Sequence, residues 1–129
     1  MDKNGEASKR GNEVRRWLMG KKFDEAQARR TPFNDEWMEF VSQYAFGEVW
    51  ARPGIDKKTR HMLTVAMLTA LGRYDELETH LTLTPNTGVT RDEVKEILMQ
   101  AAIYAGVPAA MSAFNRAGRV FAELDKEQK

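Results

Sequence analysis

Cysteine is absent from the 129 residues of the chain. That excludes disulfides, thiolate metal sites, iron–sulfur clusters and thiol redox chemistry. An excess of charge of one sign is missing too. Twenty Lys and Arg stand against 19 Asp and Glu, a net +1, so the electrostatic footprint of a nucleic-acid binder is not there. The longest apolar stretch, Met62 to Leu71, is about half a membrane span and is broken by threonines. The polar start MDKNGEASKRGNE lacks the apolar centre of a signal peptide. No segment alternates with period two over a useful length, so no sheet is expected. Neither G-x-G-x-x-G nor G-x-x-x-x-G-K occurs, which leaves no phosphate loop, and a G-x-S-x-G nucleophile elbow is missing as well. What the chain does have is 42% apolar and 30% charged residues, a soluble composition that points to the cytoplasm. Its length predicts one domain: a flexible segment over 1–10, a single helical domain over 11–124 and a polar tail over 125–129.

The pattern is helical nearly throughout. Val14, Trp17 and Leu18 share one face of a helix that Gly20 would close, and 23–29 reads as a second short helix. Thr31-Pro32 is a start signal, a capping hydroxyl followed by proline at the first helical position. Beyond it Phe33, Trp37, Phe40, Val41, Tyr44 and Ala45 recur at helical spacing, a stripe of the kind a helix turns toward a core. Asp56 is placed to cap a helix ending at Gly72. Its run 62–68 is apolar nearly all round, which predicts a central helix covered on several sides. Asp75 is placed to cap a helix carrying Leu77, His80 and Leu81, which Pro85 should end or kink early. Thr90-x-x-Glu93 has the form of a capping box, followed by Val94, Ile97, Leu98, Ala101, Ala102 and Ala105 on one face. After Gly106-Val107-Pro108, a last helix carries Ala110, Ala113, Phe114, Ala117, Val120, Phe121 and Leu124. Met62, Met67, Met99 and Met111 fall at core spacing and read as packing. Short loops between these helices predict an all-α compact antiparallel bundle of about six to seven helices.

Two histidines are present. His80, one turn after Glu76, reads either as a general acid or base, since imidazole titrates near neutrality, or as a half-buried side chain satisfied by a neighbour. Glu76 and His80 together offer two metal ligands, too few for a site, and nothing completes the set, so no metal is expected. His61 opens the most apolar helix and is expected to be neutral, because the helix dipole disfavours a cation there. Glu48, between Phe46 and Trp50, has two readings. It is a carboxyl raised in pKa by apolar neighbours and suited to proton transfer, or a solvated side chain at a helix end. Arg15, Arg16, Arg52 and Arg60 are candidates to hold a carboxylate through paired hydrogen bonds.

Longer strings say more. Gly11-x-x-Val14-Arg15-Arg16-x-x-Met19-Gly20 precedes Phe46-Gly47-Glu48-Val49-Trp50-Ala51-Arg52-Pro53-Gly54-Ile55-Asp56. Thr59 to Leu68, Glu76-Leu77-x-x-His80, Gly88-Val89-Thr90, Glu93-x-x-Glu96 and Tyr104-Ala105-Gly106-Val107-Pro108-Ala109-Ala110 follow in order. This series, from about Gly11 to Val120, resembles the carboxymuconolactone decarboxylase family. The resemblance implies an all-helical, alkylhydroperoxidase D-like subunit that assembles into rings, commonly a homo-hexamer built as a trimer of dimers. It implies a reaction with no cofactor in the protocatechuate branch (β-ketoadipate pathway) of aromatic degradation: 4-carboxymuconolactone loses carbon dioxide and becomes 3-oxoadipate enol-lactone. The hydroperoxidase activity of the wider superfamily needs a C-x-x-C pair and is excluded here.

On this resemblance His80 is the proton donor or the stabiliser of the lactone oxygen, and Glu48 a second acid–base group or the residue that orients His80. Arg15 and Arg52 bind substrate carboxylates, with Arg60 behind them or engaged in an ion pair that fixes its helix. Trp50 and Tyr104 are pocket walls or core. The chain departs from the family's pattern at Phe46, usually tryptophan, at His61, usually serine, and in 82–87, where an alanine-rich helix is the rule. Those departures keep two alternatives open: an enzyme acting on another small carboxylated substrate, and a non-catalytic oligomeric binding protein of the same fold.

Overall fold

The computed structural model describes residues 3–128, and every regular element among them is helical. Met1 and Asp2 of the expected flexible segment and Lys129 of the expected tail lie outside the described residues. By its contacts the chain divides into two compact units, Met1–Lys57 and Lys58–Lys129.

The first unit holds α1 (Glu6–Met19), α2 (Lys21–Ala28) and α3 (Asp35–Phe40), which runs directly into a π-helix, Val41–Trp50. Helix α1 starts at Glu6, within the segment expected to be flexible. Ser8 is buried there, and its hydroxyl donates to Glu39 at 2.6 Å. Helix α3 starts at Asp35 and not at Pro32, because Thr31 and Asn34 form a closed turn in which the Thr31 amide donates to Asn34 Oδ1 at 2.7 Å.

Helix α1 crosses the π-helix at two glycines. A Cβ on Gly11 would stand 1.8 Å from the Ser42 carbonyl oxygen, and one on Gly47 would stand 2.2 Å from that of Ala7. Only a bare backbone fits at either point. Ser42 and Gly47 are five residues apart, which is one turn of a π-helix, so both face α1. The aromatic stripe faces the other way. Trp37, Phe40 and Tyr44 stack in succession at 5.8 and 5.4 Å between ring centroids and are exposed, and Phe33 is 97% exposed. The face expected to be core is therefore open, while the small and polar face is packed.

The second unit contains α4 (Lys57–Ala70) from its second residue on, α5 (Tyr74–Thr82), the single turn α6 (Thr84–Thr87), α7 (Arg91–Ala105) and α8 (Val107–Glu127). Val65, Leu77, Leu81, Val89, Val94, Leu98, Ala113, Ala117 and Val120 form its core. Each fully buried Leu or Val contributes about 1.5–3 kcal/mol. The capping box forms as the sequence predicts: Thr90 Oγ1 accepts from the Glu93 amide at 3.0 Å, and the Thr90 amide donates to Glu93 Oε1 at 2.9 Å. Gly106, at φ 102°, and Pro108 separate α7 from α8. Asp75 does not cap α5. It receives Arg116 of α8 at 3.0 Å, while Arg73 occupies the N-cap. Arg91 reaches both carboxylate oxygens of Asp125, at 2.7 and 3.1 Å, and α8 continues to Glu127 through the expected tail.

Helix α4 is not covered on several sides. His61, Val65 and Thr69 are its buried residues, whereas Leu63, Met67 and Leu71 are exposed. Met99 and Met111 are exposed as well, so of the four methionines read as packing only Met62 lies against the core. Eight α-helices and one π-helix stand among the described residues where six to seven helices are expected, because 82–87 splits off α6 and the π-helix follows α3.

Candidate functional site

His80 lies two residues before the end of α5, and the local sequence explains why the helix stops there. Pro85 has no N–H to donate and sits in the first turn of α6. The Thr84 hydroxyl turns back to the Leu81 carbonyl at 2.8 Å. The new turn then delivers Thr87, which is buried, to His61 on α4, with Oγ1 at 2.8 Å from His61 Nδ1. His61 is 0% exposed. Its ring stands against that of His80 at 5.3 Å between centroids, tilted by 53°.

Burial, followed by the nearby charge His80 would carry, pushes the His61 pKa down to about 4. Burial lowers that of His80 too. Both rings are therefore neutral at pH 7. The expectation that His61 is neutral holds, but the cause is burial and not the helix dipole: the ring lies inside the unit, in the second turn of α4.

His80 itself is half-buried, and its Nδ1 is buried with no hydrogen-bond partner among the described residues. A buried N–H without an acceptor costs about 1–3 kcal/mol, and orphaned donors are rarer than under-used acceptors. This hydrogen-bonding pattern assigns the proton of the neutral ring to Nε2. The side chain is then a neutral N–H donor whose Nε2 is the nitrogen able to meet a ligand. Such a group can stabilise charge growing on an oxygen without surrendering its proton.

The remaining residues singled out in the sequence have other neighbours. In the first unit Arg15 is buried, donates from Nη1 to Ser42 Oγ at 2.8 Å and lies over the Phe23 ring. Burial, then the charge of Arg30, lowers its pKa. Glu48 does not sit in an apolar nest. Phe46 and Trp50 stack on each other at 5.6 Å, and the Glu48 carboxylate, 56% exposed, pairs with Arg10 at 3.0 Å. Arg52 is exposed in the turn that follows the π-helix.

In the second unit Arg60 is half-buried beside His61, and Tyr104 is 85% exposed on α7. Tyr104 lines a groove of about 840 Å³ between α4 and α7, with Met62, Leu63, Met67 and Ile97, and with Asp92, Glu93 and Glu96 at one end. No arginine or lysine is among the residues that line that groove. Among the described residues no group of three His, Asp or Glu could hold a metal ion. His61 and Thr87 are the members of the site that motif reading passed over. Their signal was indirect: the sequence departs from the family's pattern at His61 and in the Pro85 turn, and those two departures meet at His80.

Comparison with known proteins agrees with the motifs. The carboxymuconolactone decarboxylase family pattern matches residues 35–118. The chain is similar to a 4-carboxymuconolactone decarboxylase of Acinetobacter baylyi, 44% identical over 117 residues that cover 90% of this chain and 87% of the relative. It is also similar to the nitrosuccinic acid decarboxylase npaB of Metarhizium robertsii, 36% identical over 80% of this chain and 73% of the relative. An uncharacterized 15.0 kDa protein of Paracoccus denitrificans is 34% identical over 64% of this chain and 63% of its own length. With the family pattern spanning most of the chain and a relative this similar over nine-tenths of it, the chain belongs to the carboxymuconolactone decarboxylase family.

Proposed function

We propose that the protein is a carboxy-lyase that decarboxylates 4-carboxymuconolactone to 3-oxoadipate enol-lactone. The observation that carries the proposal is the 44% identity to a decarboxylase of that name over nearly the whole chain. The family match crosses both units in sequence, which supports reading 11–124 as one family domain.

The chemistry sets what the side chains must do. The bond from the saturated ring carbon to the departing carboxylate breaks. Its electron pair moves through the ring alkene into the lactone carbonyl and leaves a dienolate, and a proton then adds at carbon. The lactone is its own electron sink, so the reaction calls for no cofactor. The demand on the protein falls on the oxygen where charge accumulates. In this reading His80 donates its Nε2–H to that oxygen. A neutral imidazole suits the task, since it stabilises the dienolate without quenching it.

Arg15, Arg52 and Arg60 are proposed to hold substrate carboxylates, Glu48 to act as the second acid–base group, and Trp50 and Tyr104 to wall the pocket. The buried Arg15 and the ion-paired Glu48 would have to exchange a present partner for substrate to serve in this way. We further propose a cytoplasmic homo-oligomer, a hexamer built as a trimer of dimers. The exposed apolar residues of α4, α7 and α8 support an association of copies.

The test generates the unstable lactone in place from 3-carboxymuconate with a cycloisomerase and follows carbon dioxide release against a blank. Turnover of about 1 per second or faster is expected. His80→Ala is expected to lose about 10²- to 10⁴-fold with its fold intact. A folded wild-type protein that gives no turnover above the blank rejects this substrate. The 36% identical nitrosuccinic acid decarboxylase favours a second reading, in which another small acid bearing its own electron-withdrawing group is decarboxylated. Nitrosuccinate in the same assay decides between them.

A further inference from the structure

We infer that His61 is a positioning residue for His80, anchored in turn by the hydroxyl of Thr87. The inference rests on the reading of His80 as the group that meets the substrate. It starts from an oddity of composition: a fully buried imidazole stands on the helix that also supplies Val65 to the aliphatic core. Burying a polar ring is unfavourable unless its nitrogens find partners, and a leucine would fill the space without that demand. The neighbours of His61 place it between Thr87 and His80. Thr87 holds Nδ1 at 2.8 Å, and the two imidazole rings lie 5.3 Å apart between centroids.

The geometry explains why such a tether is needed. His80 occupies the last turn of α5, where carbonyls lose their helical partners and helices fray. The His61 ring, fixed by Thr87, packs against that turn beside the imidazole whose Nδ1 is buried. With the tether gone, the last turn loosens and water reaches Nδ1. Both neutral tautomers of His80 then become populated, and part of the enzyme presents a lone pair at Nε2 where the lactone oxygen needs an N–H.

Several charged groups on the packed elements pair with one another. Arg116 and Arg119 of α8 pair with Asp75 and Glu78 of α5, and Glu93 of α7 pairs with Lys58. Arg73 pairs with Glu76 on α5.

Three substitutions test the assignment: His61→Leu, which keeps the volume and loses the hydrogen bond to Thr87; His61→Asn, whose amide nitrogen can replace Nδ1; and Thr87→Val, which removes one hydroxyl. Each is compared with wild type by circular dichroism, by kcat and KM, and by nitrogen NMR of ¹⁵N-histidine-labelled protein. Wild type is expected to show His80 as a single Nε2–H tautomer. His61→Leu and Thr87→Val are expected to lower kcat about tenfold, as loss of an orienting partner does, with KM within about twofold, and to mix the His80 tautomers. His61→Asn is expected to restore most of kcat and the single tautomer. A folded His61→Leu or Thr87→Val protein with wild-type kcat and unchanged His80 nitrogen shifts overturns the inference. Should His61→Leu not fold, Thr87→Val decides alone. Failure of the His80 reading shows separately, as full turnover in His80→Ala, and the nitrogen spectra still report whether His61 holds the ring.

Discussion

A buried neutral histidine leaves its mark on the pH dependence of stability. His61 titrates near 6.5 in the unfolded chain and at about 4 in the folded one. Above pH 6.5 neither state binds the proton and the residue adds no pH dependence. Between 6.5 and 4 the unfolded state binds it and the folded state does not, so stability falls as the pH falls, by roughly 3 kcal/mol across that window. His80, lowered by burial, adds in the same direction. Urea unfolding of wild type and His61→Asn at pH 7 and pH 4.5 is expected to show the smaller pH-induced loss in the variant. Equal losses would mean that His61 is hydrated in solution. The residue scale also shows what reading the chain in order misses. His80 was legible because a motif points to it. The partnership with His61 was not, because Thr87 meets His61 across 26 residues and through a turn whose course depends on Pro85. Glu48 misled for a local reason: its aromatic neighbours in sequence stack on each other and leave the carboxylate to Arg10.

Among the elements, caps and breaks were legible in part: the Thr90 box and the Gly106–Pro108 break formed as read, whereas Thr31-Pro32 and Asp75 did not open their helices. Thr90→Ala is expected to cost about 1 kcal/mol, measured as a lower urea midpoint at unchanged slope. The π-helix was the least legible. Trp37, Phe40 and Tyr44 share a face as helical spacing reads them, but that face is exposed, and the packed face is the one of Ser42 and Gly47, five residues apart. The crossing of α1 over that helix has a sharper consequence. Gly11→Ala brings a methyl group to 1.8 Å from a backbone carbonyl that no side-chain movement can clear, so the helices must separate. A loss of at least about 3 kcal/mol is expected, the upper part of the overpacking range. An alanine at Gly118, where a Cβ meets nothing within 4 Å, is the control and is expected to be neutral or slightly stabilising.

For the whole molecule, the apolar surface carries the expectation. Leu71 is 73% and Ile103 78% exposed, and Met67, Met99, Tyr104, Val107 and Met111 are exposed with them. Single exposed apolar residues are ordinary, but a group this size on three helices matches the association proposed for the protein. Ile103→Glu is expected to shift the sedimenting species to a smaller assembly, and an unchanged distribution would place the contact elsewhere. The division of the chain after Lys57 has an experimental use. All three tryptophans, Trp17, Trp37 and Trp50, fall before that boundary, and both histidines, His61 and His80, fall after it. Indole fluorescence watches one half of the molecule and imidazole ring protons watch the other. A single denaturant titration followed by both signals therefore reads the cooperativity between the halves from native reporters, with no label introduced.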